Sequence, residues 1–269
     1  MRKRFGQAVR IGVSERALTL LKTSRWAGAP LTLLAEQEIA GAALEDTAQA
    51  LRRLLGGAGC ANWPVSLVLA GELVRMWHVT PPRASARMAD LQAAAALRFE
   101  SLYGEPADNW KLAAHWDAGQ PFLAVAVMRP LLAVLEQGVR AHRLDIVEIV
   151  PQFVAGWNRW RNALKPGAWF ALLHENVLTV GAIEAGALAS VRAVALPAQA
   201  GSGWLDAHLA REALLLDLTP PARLQLCAVA PPAWCCQPDQ SRIPCSLLEP
   251  APAPLWPAGM RLAATGSRA

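Results

Sequence analysis

The sequence predicts an α/β fold in two lobes, and three stretches carry that prediction. Residues 8–22, AVRIGVSERALTLLK, alternate through Val9, Ile11 and Val13, turn at Gly12-Val13-Ser14-Glu15, and resume with Leu18, Leu20 and Leu21; this is a β-hairpin. Residues 65–70, VSLVLA, form a continuous apolar run of strand length, as in a sheet covered on both faces. Between them Leu44, Ala48, Leu51 and Leu54/Leu55 recur at helical spacing, and Gly56-Gly57 supplies the stop. At 269 residues the length prior is about two domains, or one bilobed one. A chain this long buries roughly three quarters of its unfolded surface, so its core needs no staples.

The remaining elements follow in order. A third strand, 32–38, comes after the Gly28-Ala29-Pro30 turn, and a fifth, 74–79, leads into Thr80-Pro81-Pro82. Ser85 is placed to cap a helix whose inner face is Met88, Leu91, Ala95, Phe99 and Leu102. Strands at 110–116 and 122–128 are split by Asp117-Ala118-Gly119-Gln120. Pro130 opens a helix with Leu131, Leu135, Val139 and His142 on one side, 144–149 returns as a strand, and Pro151 starts another helix. Lys165-Pro166-Gly167 marks the boundary between a first lobe, 1–164, with an insertion at about 80–149, and a second lobe, 165–269. Beyond it the sequence predicts strands at 168–174, 177–184 and 187–196, one helix through Leu205, Leu209 and Leu216, and a core strand at 223–229. The proline-dense residues 231–257 are expected as an irregular strap.

Composition limits the function classes. An apolar content of 54% against 17% charged excludes a disordered chain. Of the 26 basic residues 22 are Arg, and Arg2, Lys3, Arg4 and Arg10 fall in the first ten positions. Three adjacent charges fall short of a polybasic lipid anchor and read as a solvated leader, with attraction to an anionic leaflet as the sharper alternative. No apolar run approaches the ~18 residues of a transmembrane helix, and the basic start lacks the apolar core of a signal peptide, so a cytoplasmic protein is expected. The odd set Cys60, Cys227, Cys235, Cys236 and Cys245 suits reduced thiols better than a disulfide framework. It contains no CxxC pair, so no metal site is expected.

The order of elements, a βββαβ lobe with an inserted α-ββ-αβ module and then a second hairpin-rich lobe, resembles a known family. It is similar to the PilM family of actin-like proteins of type IV pilus assembly, and to the cytoplasmic part of the type II secretion protein GspL. The stretches that carry the likeness most specifically are LQAAAALRFESLYG, starting at Leu91, and FLAVAVMRPLLAVLEQGVRAHRLDIVEIVPQFVAGW, starting at Phe122. The likeness spans roughly residues 8–230 and is one of pattern and order more than identity. It implies an actin-like (ribonuclease H-like) two-lobed α/β fold with an inserted subdomain. Since only one helix fits between Leu196 and Arg223, the second lobe is expected to be reduced.

The same resemblance indicates where a nucleotide would sit. The family's active form has an acidic residue before Ile-Gly in the first hairpin, then small hydroxylated residues that hold phosphates and Mg²⁺ waters. Here Ile11, Gly12 and Ser14 are kept, but the acidic position is Arg10, and a guanidinium offers a hard cation no oxygen ligand. The second hairpin reads Leu172-Leu173-His174-Glu175 in place of Asp-Ile-Gly. The glycine turn of the third element reads Ala228-Val229-Ala230-Pro231-Pro232, where proline removes the N–H donor. The resemblance therefore implies a pseudo-ATPase with no catalytic residue, metal or cofactor, in which Gly12, Ser14 and Arg10 are vestiges of a nucleotide site. The implied partner is the cytoplasmic tail of a bitopic inner-membrane protein, with the assembly ATPase as a second and the inner membrane as a peripheral surface. Two rivals stay open. One is an active ATPase that recruits Glu175 or Asp145 to the Gly12 turn. The other is a nucleic-acid-binding module suggested by a pI near 9.3, although no nucleic acid is expected by the resemblance.

Other residues receive structural roles. Arg98 and Glu100 are expected to be solvated or salt-bridged, the histidines at 78, 115, 142, 174 and 208 have no Ser or Cys partner motif, and the eleven tryptophans read as core or interface filler. The family ends its second insertion helix on glycine. Arg143 stands there, so a different helix ending is expected.

Overall fold

In a computed structural model of the chain, the described residues are 6–24, 30–83, 87–227, 230–235, 242–248 and 256–267. The basic leader Arg2, Lys3 and Arg4, the Gly28-Ala29 part of the predicted turn, the Ser85 cap, Ala228-Val229, Cys236 and part of the proline-dense stretch lie outside them. In chain order the elements begin with β1 (Gln7–Val13), β2 (Ala17–Ser24), β3 (Thr32–Glu38), α1 (Leu44–Gly56), β4 (Pro64–Leu69) and β5 (Val74–Val79). There follow α2 (Met88–Tyr103), β6 (Trp110–Ala114), β7 (Phe122–Met128), α3 (Arg129–Ala141), β8 (Asp145–Pro151) and α4 (Gln152–Trp160). The chain continues with β9 (Ala168–His174), β10 (Val177–Glu184), β11 (Ala187–Ala195), α5 (Ser202–Leu215), β12 (Arg223–Cys227), α6 (Pro232–Cys235), β13 (Cys245–Leu247) and α7 (Ala258–Ala264).

Two compact units result. The first combines Met1–Val74, Val127–Arg159 and Ala253–Ala269. Its sheet has the order β3-β2-β1-β4-β8, an antiparallel meander to which β4 and β8 add in parallel. The β1–β2 register pairs Ile11 with Leu20 and Val13 with Leu18, so one face of the sheet carries these side chains, and none is more than 1% exposed. The alternate positions, Arg10, Gly12, Thr19 and Leu21, share the other face. Helices α1 and α3 pack on each other, and they approach so closely at Gly138 that a Cβ there would overlap the Leu51 side chain.

Helix α3 ends in a way the sequence reading did not expect. Arg143 itself takes the left-handed conformation, with φ of 58°. Its N–H reaches Arg140 O at 2.9 Å and the Leu144 N–H reaches Val139 O at 3.3 Å, which is the double hydrogen bond of a Schellman cap. The Arg143 carbonyl is held in turn by the Asn62 N–H at 2.6 Å, so neighbouring backbone fixes a conformation that a Cβ disfavours. Because the Arg143 side chain is exposed, Arg143→Gly is expected to stabilise the protein by about 1 kcal/mol, the strain it relieves. Equilibrium urea unfolding measures this; an unchanged or lower midpoint would refute it.

The second unit combines Arg75–Ala126 with Trp160–Pro252. One part is a three-stranded sheet, order β5-β7-β6, whose Trp77, Val79, Trp110, Phe122, Ala124 and Ala126 pack on Leu91, Ala95 and Phe99 of α2. Phe99 lies 5.2 Å from Trp77 and 5.4 Å from Trp110, and the Arg75 guanidinium sits over the Trp110 ring, so these tryptophans are core. Glu100 accepts a hydrogen bond from the Ala107 N–H at 3.0 Å, a local structural role. The Asp117 turn forms as expected, with Asp117 accepting from the Gly119 N–H at 2.7 Å. Burial holds His78 below the ordinary histidine range, and its Nε2 has no hydrogen-bond partner.

The other part is a five-stranded sheet, order β11-β10-β9-β12-β13. A meander again receives two parallel strands beside its first strand, so the connectivity of the first unit's sheet is repeated. Trp169, Leu178, Leu224 and Leu226 pack against Leu205, Leu209 and Ala213 of α5. Residues 231–257 were expected to be irregular, but they contain α6 and the edge strand β13, which pairs in parallel with β12 from Leu224↔Cys245 to Leu226↔Leu247. The prolines at 231 and 232 suit a helix start, where their missing N–H costs nothing.

Candidate functional site

The first hairpin is where the sequence places Arg10, Gly12 and Ser14, and the structure gives each a partner within the first unit. At the turn, Ser14 is 8% exposed and works inward. Its Oγ accepts from the Ala17 N–H at 3.0 Å and from the Arg16 N–H at 3.3 Å, and its own N–H donates to Ala17 O at 3.0 Å. The Glu15 N–H donates to the Glu72 carboxylate at 3.3 Å. A phosphate-cradling turn offers its backbone N–H groups to the ligand. Here the N–H groups of residues 14–17 all bond within the protein, one of them to a carboxylate that stands where an anion would be received.

Gly12 lies under α7. A Cβ at this position would come 2.9 Å from Ala263 N and 3.1 Å from Gly259 O, both backbone atoms. Gly259 is equally tight from the other side, where a Cβ would overlap the Thr19 hydroxyl. Two glycines thus let a strand and a helix meet backbone to backbone. Around them Leu21 packs with Met260 and Ala263, and Val68 and Ala70 pack with Leu262.

Arg10 sits within β1, paired with Leu21, with its side chain 11% exposed. The guanidinium turns toward the end of α7: Nε donates to Ala263 O and Nη2 to Thr265 O, both at 2.7 Å. These carbonyls belong to the last turn of a helix, where acceptors are unsatisfied and the dipole favours a cation. Glu148 on β8 lies 3.7 Å from Nη1. Burial lowers the pKa of Arg10 and Glu148 raises it, and from so high a starting value the group stays charged. Gln152, at the start of α4, donates from Nε2 to the Thr265 hydroxyl at 3.0 Å. Beside this junction a cavity of about 220 Å³ is lined by Arg10, Glu148, Val150, Ala155, Asn158, Arg159 and Gly266.

The two acids considered as replacement ligands lie in different places. Asp145 opens β8 opposite Pro64, whereas the turn is at the far end of the sheet, where Val13 pairs with Leu69. Five residues along a parallel strand is about 16 Å, so Asp145 does not reach the Gly12 turn. Glu175 forms the exposed β9–β10 turn with Asn176, at a φ of 49°. Among the described residues no group of three His, Cys, Asp or Glu is arranged to hold a metal ion, and no helix is long and apolar enough to cross a membrane.

What sequence reading missed is α7 and its contacts. The signals were present in Pro257 at a helix start, Met260 and Leu262 as apolar positions, and the small pair Gly259 and Ala263. Seven residues of that composition are too short for periodicity to decide.

Two sheets of the same order, each a meander extended by two parallel strands, define the class: the chain has an actin-like fold. In particular, it is similar to the cytoplasmic domain of EpsL, an inner membrane component of the type II secretion system of Vibrio cholerae. That likeness has a TM-score of 0.58 at 16% identity and covers 97% of this chain and 94% of that one. A Bacteroides thetaiotaomicron protein with an actin-like ATPase fold matches at a TM-score of 0.57 and 11% identity, over 84% of this chain and 83% of that one. The PilM-PilN type IV pilus biogenesis complex matches at 0.51 and 16%, over 76% of this chain and 65% of that one. No family model and no curated protein sequence matches the chain.

Proposed function

We propose that this protein is a non-catalytic actin-like scaffold in the inner-membrane platform of a type II secretion system or type IV pilus. It acts on the cytoplasmic side by holding the cytoplasmic tail of a bitopic membrane protein, and the assembly ATPase is a further partner. The observation that carries the non-catalytic reading is the first hairpin. Its N–H groups at residues 14–17 bond within the protein, its glycine is covered by α7, and Arg10 is spent on the α7 carbonyls. The likeness in fold to the EpsL cytoplasmic domain, a component of an inner-membrane machine, and to a PilM-PilN complex supports the choice of platform and of a membrane-protein partner. Binding of this kind rests on groove shape and strand or helix docking. We further propose Lys165-Pro166-Gly167 as the boundary between the lobes, with Gly12, Ser14 and Arg10 as inherited architecture of a former nucleotide site.

Isothermal titration with Mg-ATP tests the non-catalytic reading. No binding heat is expected at ligand concentrations up to about 1 mM, equivalent to less than about 4 kcal/mol of affinity. Micromolar binding accompanied by hydrolysis would overturn it. Capture of the chain by an immobilised peptide of the cytoplasmic tail of a bitopic inner-membrane protein from the same secretion or pilus system tests the partner; failure with a folded chain counts against the scaffold role.

A further inference from the structure

The second unit contains a thiol pair for which the fold likeness gives no role. Cys235 closes α6 and Cys245 opens β13, and their sulfurs lie 3.6 Å apart, both partly exposed. The two elements pack on each other, and both cysteines border the core built on Trp169, Trp234 and Leu226. On its inner side α6 is fixed by Trp234, which is 2% exposed and donates from Nε1 to Ala200 O at 2.7 Å. The β13 strand is held by its pairing to β12. The sulfurs are therefore presented by two anchored elements, and bringing them to the bonded distance of about 2.05 Å needs a shift of about 1.5 Å, within reach of side-chain rotation. Cys227 is 1% exposed in β12, and Cys60 belongs to the first unit.

We propose that Cys235 and Cys245 form a reversible disulfide under oxidation by a small-molecule disulfide such as glutathione disulfide, stapling the edge strand β13 to α6. One protein thiolate attacks a glutathione sulfur, forming a mixed disulfide and releasing one glutathione thiolate, which takes up a proton. The second protein thiol then loses its proton and displaces the other glutathione. Two protein thiols are oxidised by two electrons, and one glutathione disulfide becomes two glutathiones. Burial, then the neighbouring sulfur, pushes the Cys245 thiol upward. The staple closes a loop between residues ten apart and restricts the unfolded chain.

The test treats the full chain with glutathione disulfide, blocks remaining thiols with iodoacetamide and maps the linkage by tandem mass spectrometry. Fragmentation between residues 235 and 236 separates the two adjacent cysteines. The expected result is a 235–245 linkage in the wild type and in Cys236→Ser, reversed by dithiothreitol. With it the thermal midpoint should rise by about 5 °C. A linkage through Cys236, or full alkylation of Cys235 and Cys245 after oxidation, overturns the proposal.

Discussion

Arg10→Asp, which puts a carboxylate in place of the buried guanidinium, is expected to destabilise the protein by about 4 kcal/mol and to leave it without Mg-ATP binding. The substitution removes two charge-assisted hydrogen bonds to Ala263 O and Thr265 O. It also sets a carboxylate beside the negative end of α7 and near Glu148. Coulomb sign and hydrogen-bond count point the same way, and an 11% exposed side chain leaves little water to screen either. Arg10→Lys keeps the charge but loses the planar fork, so an intermediate loss of about 2 kcal/mol is expected. Urea unfolding and isothermal titration read the two consequences. A stable Arg10→Asp variant, or one that binds Mg-ATP, would sink the assignment of Arg10 to the helix end.

Gly12→Val comes next in size, because two physical effects oppose each other there and their magnitudes decide the outcome. Strand propensity alone favours valine in β1 by up to about 1 kcal/mol. Against it, the first added carbon meets Ala263 N and Gly259 O, which are backbone atoms and cannot rotate away. Overpacking of this kind costs about 3 kcal/mol, so the variant is expected to lose about 2 kcal/mol net and to become protease-sensitive around residues 256–267. Gly57→Val, where a Cβ meets nothing within 4 Å, is the control for a general effect of the substitution. Equal losses at both positions would remove the argument from close approach.

Most strands were legible because their side chains alternate or run continuously apolar. β3, β5, β7, β9 and β10 fall at the boundaries the pattern predicts, since turns such as Asp117 to Gln120 and Glu175-Asn176 punctuate them. The chemistry of the hairpin was only half legible. Gly12 signalled a close approach without naming what approaches, and Arg10 read as a lost ligand because its partners are more than 250 residues away. Arg143 was misjudged for a related reason. Propensity disfavours a left-handed arginine, but the hydrogen bond from Asn62 to its carbonyl fixes that conformation, and no local pattern carries this. Cys235 and Cys245 lie within a stretch read as irregular, so their proximity depended on β13, a three-residue strand too short to announce itself.

The seating of α7 on β1 also bears on synthesis. A ribosome delivers Arg10, Gly12, Thr19 and Leu21 early, yet the helix that covers them arrives only after residue 256. At about 5–20 residues per second, that face stays bare for on the order of ten to fifty seconds. The first unit is therefore completed after the second, although its strands β1 to β4 are the first to be made. A nascent chain stalled before residue 256 is an open sheet that offers Leu21 and Val68 to any apolar surface nearby.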